Sequence, residues 1–127
     1  MHYTLQQLTR QADRLAFGLA LVIGVLSLLP LDRLPEVAVS DKLEHLLAYG
    51  LLGLLATLRR QTPRTLFLTL LLIIAYGAAI EFLQPYVGRF MELGDFIANS
   101  SGAFLGALIA RWTRYRSAAT ASGEISS

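Results

Sequence analysis

The sequence predicts an all-α fold, a polytopic membrane protein with four transmembrane helices in a compact bundle. Hydrophobic residues are 54% of the 127-residue chain and charged residues only 16%, against about 25% charged residues in soluble domains. Residues 15–29 and 66–80 contain no charged side chain, whereas each helix of a soluble bundle needs a polar stripe. Prolines and short charged segments separate the apolar runs. These features favour helices that lie in a membrane.

The first helix is predicted at residues 12–29, where an apolar run follows Arg14 and ends before Pro30. A secretory signal peptide has a similar basic start and apolar core. Small residues at 38–40 resemble a cleavage site, but they lie about ten residues beyond the apolar run, too far for ordinary cleavage. An uncleaved transmembrane helix is therefore predicted.

Capping residues and prolines bound the other three helices, which are predicted at residues 42–58, 65–84 and 95–112. Ser40 or Asp41 is suited to cap the first of these helices. Pro85 ends the second, because proline cannot donate a backbone hydrogen bond. Residues 1–116 are thus predicted to form one transmembrane domain, and the small polar residues at 117–127 a flexible tail.

Basic side chains predict the orientation of the bundle. Eight of the eleven lysines and arginines lie in the N-terminal segment, between the second and third helices, and around the end of the fourth. The other three, Arg33, Lys42 and Arg89, lie on the opposite side. Positively charged loops stay in the cytoplasm, so both termini are predicted to be cytoplasmic. Because these residues flank apolar runs and form no patch interleaved with aromatic residues, no nucleic acid partner is predicted.

A polar segment at residues 81–99 separates two apolar runs and faces outward in this orientation. With a second polar stretch at residues 41–49, it is predicted to form the working site. His45, Glu81 and Asn99 each lie about one turn, roughly 6 Å, inside the outer end of their helix. Ionisable groups at membrane depth are costly unless they are paired. Three polar residues at one depth therefore predict a shared cluster.

The candidate catalytic residues are His45, Glu81 and Asp41, since imidazole and carboxyl groups are common general acids and bases. The candidate ligand-binding residues are Lys42, Tyr49, Gln84, Arg89, Asp95 and Asn99. Simpler roles stay open, because Asp41 and Asp95 also suit helix capping. Arg89 is able either to pair with Glu81 or to bind a lipid phosphate through its planar guanidinium group.

The sequence predicts no metal site and no cofactor. Asp41, His45, Glu81 and Asp95 are suitable ligand types for a divalent ion, but no compact motif such as HExxH joins them. The absence of cysteine excludes disulfides, thiolate metal sites and cysteine nucleophiles.

Gly102 and Gly106 form a GxxxG motif in the fourth helix. This spacing lets another helix approach closely in lipid, so both glycines are expected to act in helix packing. The partner is either the second helix, through Gly50 and Gly53, or another copy of the chain in a homo-oligomer.

The polar residues and glycines follow a specific order along the chain: Asp41, Lys42, His45, Tyr49, Glu81, Gln84, Arg89, Asp95, Asn99, Gly102 and Gly106. This ordered set, between residues 31 and 110, resembles the VanZ-like membrane protein family. The resemblance implies a small bacterial protein of the cell inner membrane, with its polar residues forming the site. The family takes its name from a member linked to resistance to the glycopeptide teicoplanin, and no settled reaction comes with it.

Two main classes of function stay open, and the sequence does not decide whether the protein is an enzyme. A third class, a transporter, needs a polar path across the bilayer, and the apolar inner halves of the helices leave open only an oligomeric one. In the first, an outward-facing polar site binds, and in a catalytic version modifies, a lipid or another cell-envelope amphiphile. The expected partners are membrane lipids, together with a lipid-linked cell-wall precursor or a glycopeptide. In the second, the protein is a non-enzymatic structural or interaction protein, whose polar network and GxxxG face set helix packing or oligomerisation.

Overall fold

The computed structural model describes residues 2–30, 32, 40–60 and 62–125. Within them the chain forms four α-helices and no strand: α1 (His2–Leu28), α2 (Asp41–Thr57), α3 (Pro63–Leu83) and α4 (Leu93–Ile125). A 3₁₀ turn, Gln84–Val87, follows α3. The predicted all-α fold with four helices is therefore confirmed. Most of the predicted loop at residues 31–40, including Arg33, lies outside the described residues.

Local sequence explains both ends of α3. The side chain of Thr62 accepts a hydrogen bond from the backbone N–H of Thr65 at 3.2 Å, and Pro63 occupies the first helical position. Proline suits that position because its missing N–H is not needed there. At the other end, Pro85 lies in the 3₁₀ turn, and Gly88 closes the turn with a φ of 77°. That left-handed conformation favours glycine.

The start of α2 matches the predicted capping position. Ser40 is the N-cap, and its carbonyl accepts a hydrogen bond from the Glu44 N–H at 3.0 Å, although its side chain makes no capping hydrogen bond. The helix ends at Thr57, whose hydroxyl donates to the Gly53 carbonyl at 2.7 Å. That bond satisfies the hydroxyl of a fully buried side chain.

The closest packing in the bundle is between α2 and α4. A Cβ atom added at Gly102 would lie 2.9 Å from the Gly50 backbone nitrogen, and one added at Gly53 would lie 2.8 Å from the Ala103 Cα. Real Cβ atoms do not approach other atoms so closely. The glycines therefore bring two helix backbones into contact, which is a favourable arrangement in lipid. The GxxxG motif of α4 packs against α2 of the same chain.

Apolar side chains cover the outer faces of the bundle, with Phe17, Leu72 and Phe104 each more than half exposed. In the described part of the chain, three stretches are long and apolar enough to cross a membrane, namely Thr9–Leu28, Pro63–Val87 and Leu93–Gly123. The 17 residues of α2 measure about 25 Å at 1.5 Å per residue. That length is slightly below the thickness of a typical hydrocarbon core, which is about 30 Å.

Two helices extend ten or more residues beyond their predicted bounds. α1 begins at His2, and residues 2–11 contain no glycine or proline that would interrupt it. α4 continues to Ile125, through most of the segment predicted to be a flexible tail. In that segment the Ser117 hydroxyl donates to the Thr113 carbonyl at 3.0 Å. The segment also contains several alanines, and alanine has the highest intrinsic helix propensity of all residues.

The helices alternate in direction, so the bundle has two distinct ends. We call the end where α2 and α4 begin the polar end, because it carries His45, Asp95 and Asn99. We call the opposite end, where α2 finishes and α3 begins, the arginine end. There Arg59 and Arg60 approach Asp13 of α1 at 3.5 and 3.3 Å.

Candidate functional site

His45 lies at the centre of the polar end and joins α2 to α4. Its Nδ1 atom is 2.8 Å from Oδ1 of Asn99, and the Asn99 residue is 2% exposed. His45 lies about one turn inside the start of α2, and Asn99 lies nearly two turns inside the start of α4, because α4 begins at Leu93. A carboxamide oxygen only accepts hydrogen bonds, so the bond is donated by the Nδ1–H of the imidazole. This bond fixes the orientation of the ring.

The other ring nitrogen of His45 faces two carboxylates. Nε2 is 3.8 Å from Oδ1 of Asp41, one turn earlier on α2, and 3.6 Å from Oδ2 of Asp95 on α4. The Asp41 side chain is 57% exposed, whereas that of Asp95 is only 5% exposed. Both distances exceed the 2.7–3.2 Å range of protein N–H···O hydrogen bonds. The imidazole therefore lies between the carboxylates without a short hydrogen bond to either.

Lys42 balances part of the negative charge at the polar end. Its ammonium group donates to Glu92 at 2.9 Å and to Asp95 Oδ1 at 3.3 Å. The ammonium group of lysine is positively charged at physiological pH. Half of its surface is exposed, so the contact with Glu92 contributes little to stability by itself.

Glu81 lies near the end of α3 and is 3% exposed. Its Oε2 atom accepts the backbone N–H of Glu92 at 3.2 Å, and among the described residues its Oε1 atom has no hydrogen-bond partner. The structure thus gives Glu81 a backbone partner instead of the His45 or Arg89 side chain that the sequence suggests. This contact connects the end of α3 to the segment that precedes α4.

Tyr49, Gly77 and Asn99 meet immediately inside this cluster. A Cβ atom at Gly77 would lie 3.2 Å from Cε1 of Tyr49 and 3.4 Å from Nδ2 of Asn99. Tyr49 is 2% exposed, and neither its hydroxyl nor Nδ2 of Asn99 has a hydrogen-bond partner among the described residues. Sequence reasoning did not select Gly77. Its position one turn before Glu81 was the available signal, because a glycine there leaves room for a neighbouring ring.

Gln84 and Arg89 contact the end of α1. The Gln84 Nε2 atom donates to the Ser27 carbonyl at 3.3 Å, and the Arg89 guanidinium group donates to the Leu26 carbonyl at 3.2 Å. The last carbonyls of a helix have no partner within the helix, so these side chains satisfy part of the end of α1. Gln84 Oε1 is buried and has no partner in the described part of the chain.

The predicted site residues therefore divide into two groups. Asp41, Lys42, His45, Asp95 and Asn99 form one connected cluster on the first turns of α2 and α4. The others line its inner side or reach α1: Tyr49, Glu81, Gln84 and Arg89. Sequence reasoning left Glu92 out of the site, although it contacts both groups.

One set of side chains at the polar end has the composition of a metal site. A ligand atom from each of Asp41, His45 and Asp95 lies within 4.8 Å of the other two. Glu81, the fourth residue with a suitable side chain, does not belong to this group. Its Oε2 atom is instead bonded to backbone.

The family model of VanZ/LLP1 matches residues 1–114. The chain belongs to the VanZ/LLP1 family. The matched region contains every predicted site residue. It also includes α1, which lies before the motif residues 31–110. None of the curated proteins and none of the solved structures compared with the chain matches it. With three helices apolar and long enough to cross a membrane, this VanZ/LLP1 family member is a membrane protein.

The arginine end of this family member has a cleft of about 850 Å³. Its walls include Leu66 and Phe67 of α3, Arg60 before α3 and Arg111 of α4. The cleft lies at the opposite end of the bundle from His45, so it is not part of the polar cluster. The candidate site is therefore defined by the polar contacts between α2, α3 and α4.

Proposed function

We propose that the polar end binds the headgroup of a membrane lipid or of another cell-envelope amphiphile. The observation that carries this proposal is a set of buried polar atoms without partners. Among the described residues of the polar end, these atoms include the acceptor oxygens Glu81 Oε1 and Gln84 Oε1, the donor Asn99 Nδ2 and the Tyr49 hydroxyl. A buried polar atom without a hydrogen bond costs about 1–3 kcal/mol. A ligand that supplies the missing partners recovers part of that free energy.

In this proposal the protein is a multi-pass protein of the cell inner membrane, with cytoplasmic termini and an outward polar end. The asymmetry of the basic residues supports the orientation, because Arg59, Arg60 and Arg114 lie at the arginine end. The proposal includes a fourth span, α2. Its 17 residues and the residues at its ends are together sufficient to cross a thin bilayer.

In this proposal two basic side chains hold the phosphate or carboxylate of a headgroup, and the surrounding oxygens accept hydrogen bonds from its hydroxyl or amino groups. Lys42 is exposed at the surface of the cluster, and Arg89 carries a guanidinium group that suits phosphate or carboxylate. A lipid-linked cell-wall precursor combines a membrane anchor with a phosphorylated head, and it lies at the same level of the membrane. Membership in a family named for a protein linked to teicoplanin resistance supports cell-envelope ligands of this class, including a glycopeptide.

Native mass spectrometry of the purified protein tests the binding proposal. We expect a lipid with a specific headgroup to copurify with the wild-type protein and to be lost from Lys42→Gln and Arg89→Gln. Arg64→Gln is the matched control, because it removes an exposed basic charge from the arginine end.

Circular dichroism and size-exclusion chromatography check that the variants retain their helices and their elution volume. Lys42 is the decisive position, because its side chain is 55% exposed and glutamine keeps a donor for Asp95 while it removes the charge. Equal amounts of the same lipids on wild type, Lys42→Gln and Arg64→Gln would contradict the proposal.

A catalytic version of this proposal uses His45 and Glu81 as the acid and the base. Expression of the wild-type protein is then expected to change the teicoplanin susceptibility of a host cell. His45→Ala and Glu81→Gln should abolish the change while membrane levels of the protein stay equal. If both variants act as the wild type does, the protein functions without proton transfer by these residues.

A second candidate function is structural, and the close packing of α2 on α4 favours it. Here the polar network, including His45 and Asn99, specifies how the helices meet, and no ligand is needed. The glycines of α4 contact α2 of the same chain, so an oligomer would use another face. Under this function, His45→Ala lowers stability, and no specific lipid is lost.

A further inference from the structure

The space between Asp41, His45 and Asp95 has the dimensions of a small cation site. His45 Nε2 is 3.8 Å from Asp41 Oδ1 and 3.6 Å from Asp95 Oδ2. Protein ligands bind zinc at about 2.0–2.2 Å in a tetrahedron, whose corners are then about 3.3–3.6 Å apart. The observed separations are too long for hydrogen bonds and close to those of ligands that share one ion.

His45 is oriented as a metal ligand. Because its Nδ1–H donates to Asn99 Oδ1 at 2.8 Å, the neutral imidazole has its lone pair on Nε2. That lone pair faces the two carboxylates, an unfavourable arrangement that either a proton on Nε2 or a cation between the three groups relieves. Histidine ligands commonly donate their second N–H to a neighbouring oxygen, and this contact fixes the tautomer.

Asp95 provides an independent indication. The residue is 4% exposed, and its Oδ1 atom accepts a hydrogen bond from Lys42. In the described part of the chain, no donor lies within hydrogen-bond distance of its Oδ2 atom, which faces His45 Nε2. A carboxylate in such a largely buried position favours a compensating positive charge. A cation between Oδ2 and Nε2 would add to the compensation that Lys42 supplies.

The formal charge of the cluster also favours a cation. Asp41, Glu92 and Asp95 contribute three negative charges, and Lys42 contributes one positive charge. Glu81 adds a further carboxyl group within electrostatic range of Asp95 and Asp41. A divalent cation would offset this excess of negative charge.

We propose that Asp41, His45 and Asp95 bind one divalent transition-metal ion, of the Zn²⁺ or Mn²⁺ class. One imidazole and two carboxylates suit these ions better than Mg²⁺ or Ca²⁺, which prefer oxygen ligands alone. Three protein ligands leave at least one position for water or another oxygen. The inference goes beyond lipid binding and does not depend on it.

Metal titration of the purified protein tests the inference. The protein is isolated in detergent through a tag without histidine, treated with a chelator, and titrated with ZnCl₂ and with MnCl₂ in separate calorimetric experiments. Elemental analysis after removal of free metal then gives the stoichiometry. We expect about one ion per chain for the wild type, and an affinity at least about tenfold weaker for Asp41→Asn and for His45→Ala.

Glu44→Gln is the matched control for Asp41→Asn. Both substitutions remove an exposed carboxylate from the first turn of α2, but Glu44 is not part of the three-residue group. Glu44→Gln should bind metal as the wild type does. Asp41→Asn keeps the test valid if His45→Ala misfolds, because the Asp41 side chain is 57% exposed.

Three results would overturn the inference. They are no bound ion in the wild type, equal affinity in wild type and Asp41→Asn, and equal losses in Asp41→Asn and Glu44→Gln. Since no lipid is measured, these results leave the proposed lipid binding untouched. Conversely, loss of a copurifying lipid in the native mass spectrometry experiment does not test metal binding.

Discussion

The imidazole Nδ1 of His45 lies 2.8 Å from the carboxamide oxygen of Asn99, and this contact joins α2 to α4 at the polar end. The same contact selects the ring nitrogen that carries the proton. It therefore determines which group His45 presents to Asp41 and Asp95. The chemistry of the polar end depends on this side-chain pair, whether the ligand is a metal ion or a headgroup.

Asn99→Leu is expected to release the His45 proton from Nδ1. Leucine has the same number of side-chain heavy atoms but no acceptor, so the proton is free to move to Nε2, beside the carboxylates. The ¹⁵N resonances of labelled histidine should report mainly Nδ1–H in the wild type and an increased Nε2–H population in the variant.

The chain has two histidines, His2 and His45. The resonances of His45 are identified by comparison with a variant in which one of the two histidines is substituted. Ser101→Ala, an exposed change on α4, is the control and should leave the spectrum unchanged. A wild-type spectrum dominated by Nε2–H would show that Asn99 does not hold the tautomer.

Gly106→Ala is expected to destabilise the bundle. The added methyl group would lie 2.6 Å from the Leu54 backbone nitrogen and would also meet the Gly50 carbonyl. Backbone atoms cannot move aside as a flexible side chain can, so α2 and α4 must separate. Overpacking of this kind costs about 1–3 kcal/mol, which unfolding in detergent micelles can measure.

Gly18→Ala is the control for the glycine experiment. No atom lies within 4 Å of a Cβ added at Gly18 of α1, and alanine has the higher helix propensity by about 1 kcal/mol. Gly18→Ala should therefore be neutral or slightly stabilising. A Gly106→Ala protein as stable as Gly18→Ala would mean that α2 and α4 are less closely packed than described.

Arg114→Ala is expected to lower stability at the arginine end. One guanidinium nitrogen of Arg114 donates to the carbonyls of Thr57, Leu58 and Arg60, the first at 2.8 Å. It thereby caps the end of α2. Hydrogen bonds from charged groups contribute about 1.5–3 kcal/mol, so the thermal midpoint should fall clearly below that of the wild type.

Two further variants separate capping by Arg114 from its charge. Arg114→Lys keeps the positive charge but not the planar group, so we expect part of the loss to persist. Arg116→Ala removes an exposed arginine that contacts the Trp112 ring at 5.1 Å, and its cost should be about 0.5–1 kcal/mol. Equal losses for Arg114→Ala and Arg116→Ala would argue against capping.

The sequence predicts the meeting of His45 and Asn99 because both lie about one turn inside the predicted starts of helices that begin at the same end. Counting residues from the predicted start of a helix gives the depth of a side chain along the helix axis. The face that carries glycines indicates which side of the helix packs against its neighbour. The partner of Glu81 could not be predicted in this way. It is the backbone N–H of Glu92, and loop geometry leaves no periodic pattern in the sequence.

Arg114 illustrates a second limit of sequence reasoning. A count of basic residues treats it only as a charge that marks one side of the membrane, yet its side chain caps α2. The C-terminal segment illustrates a third limit. Small polar residues from Ser117 onward are typical of tails, but intermixed alanines also extend a helix, and α4 continues to Ile125.

Single-cysteine variants test the orientation, because the chain contains no cysteine of its own. Met91→Cys places a thiol at the exposed polar end, and Ala121→Cys places one on the exposed C-terminal turns of α4. With eight of eleven basic residues on the side of the termini, that side is expected to be cytoplasmic. A membrane-impermeant maleimide should then label Met91→Cys in intact cells, and Ala121→Cys only after permeabilisation. Because both thiols are exposed, a difference in labelling between the two variants would arise from the membrane and not from burial. The reverse labelling pattern would place the polar end inside the cell, away from outer-leaflet headgroups.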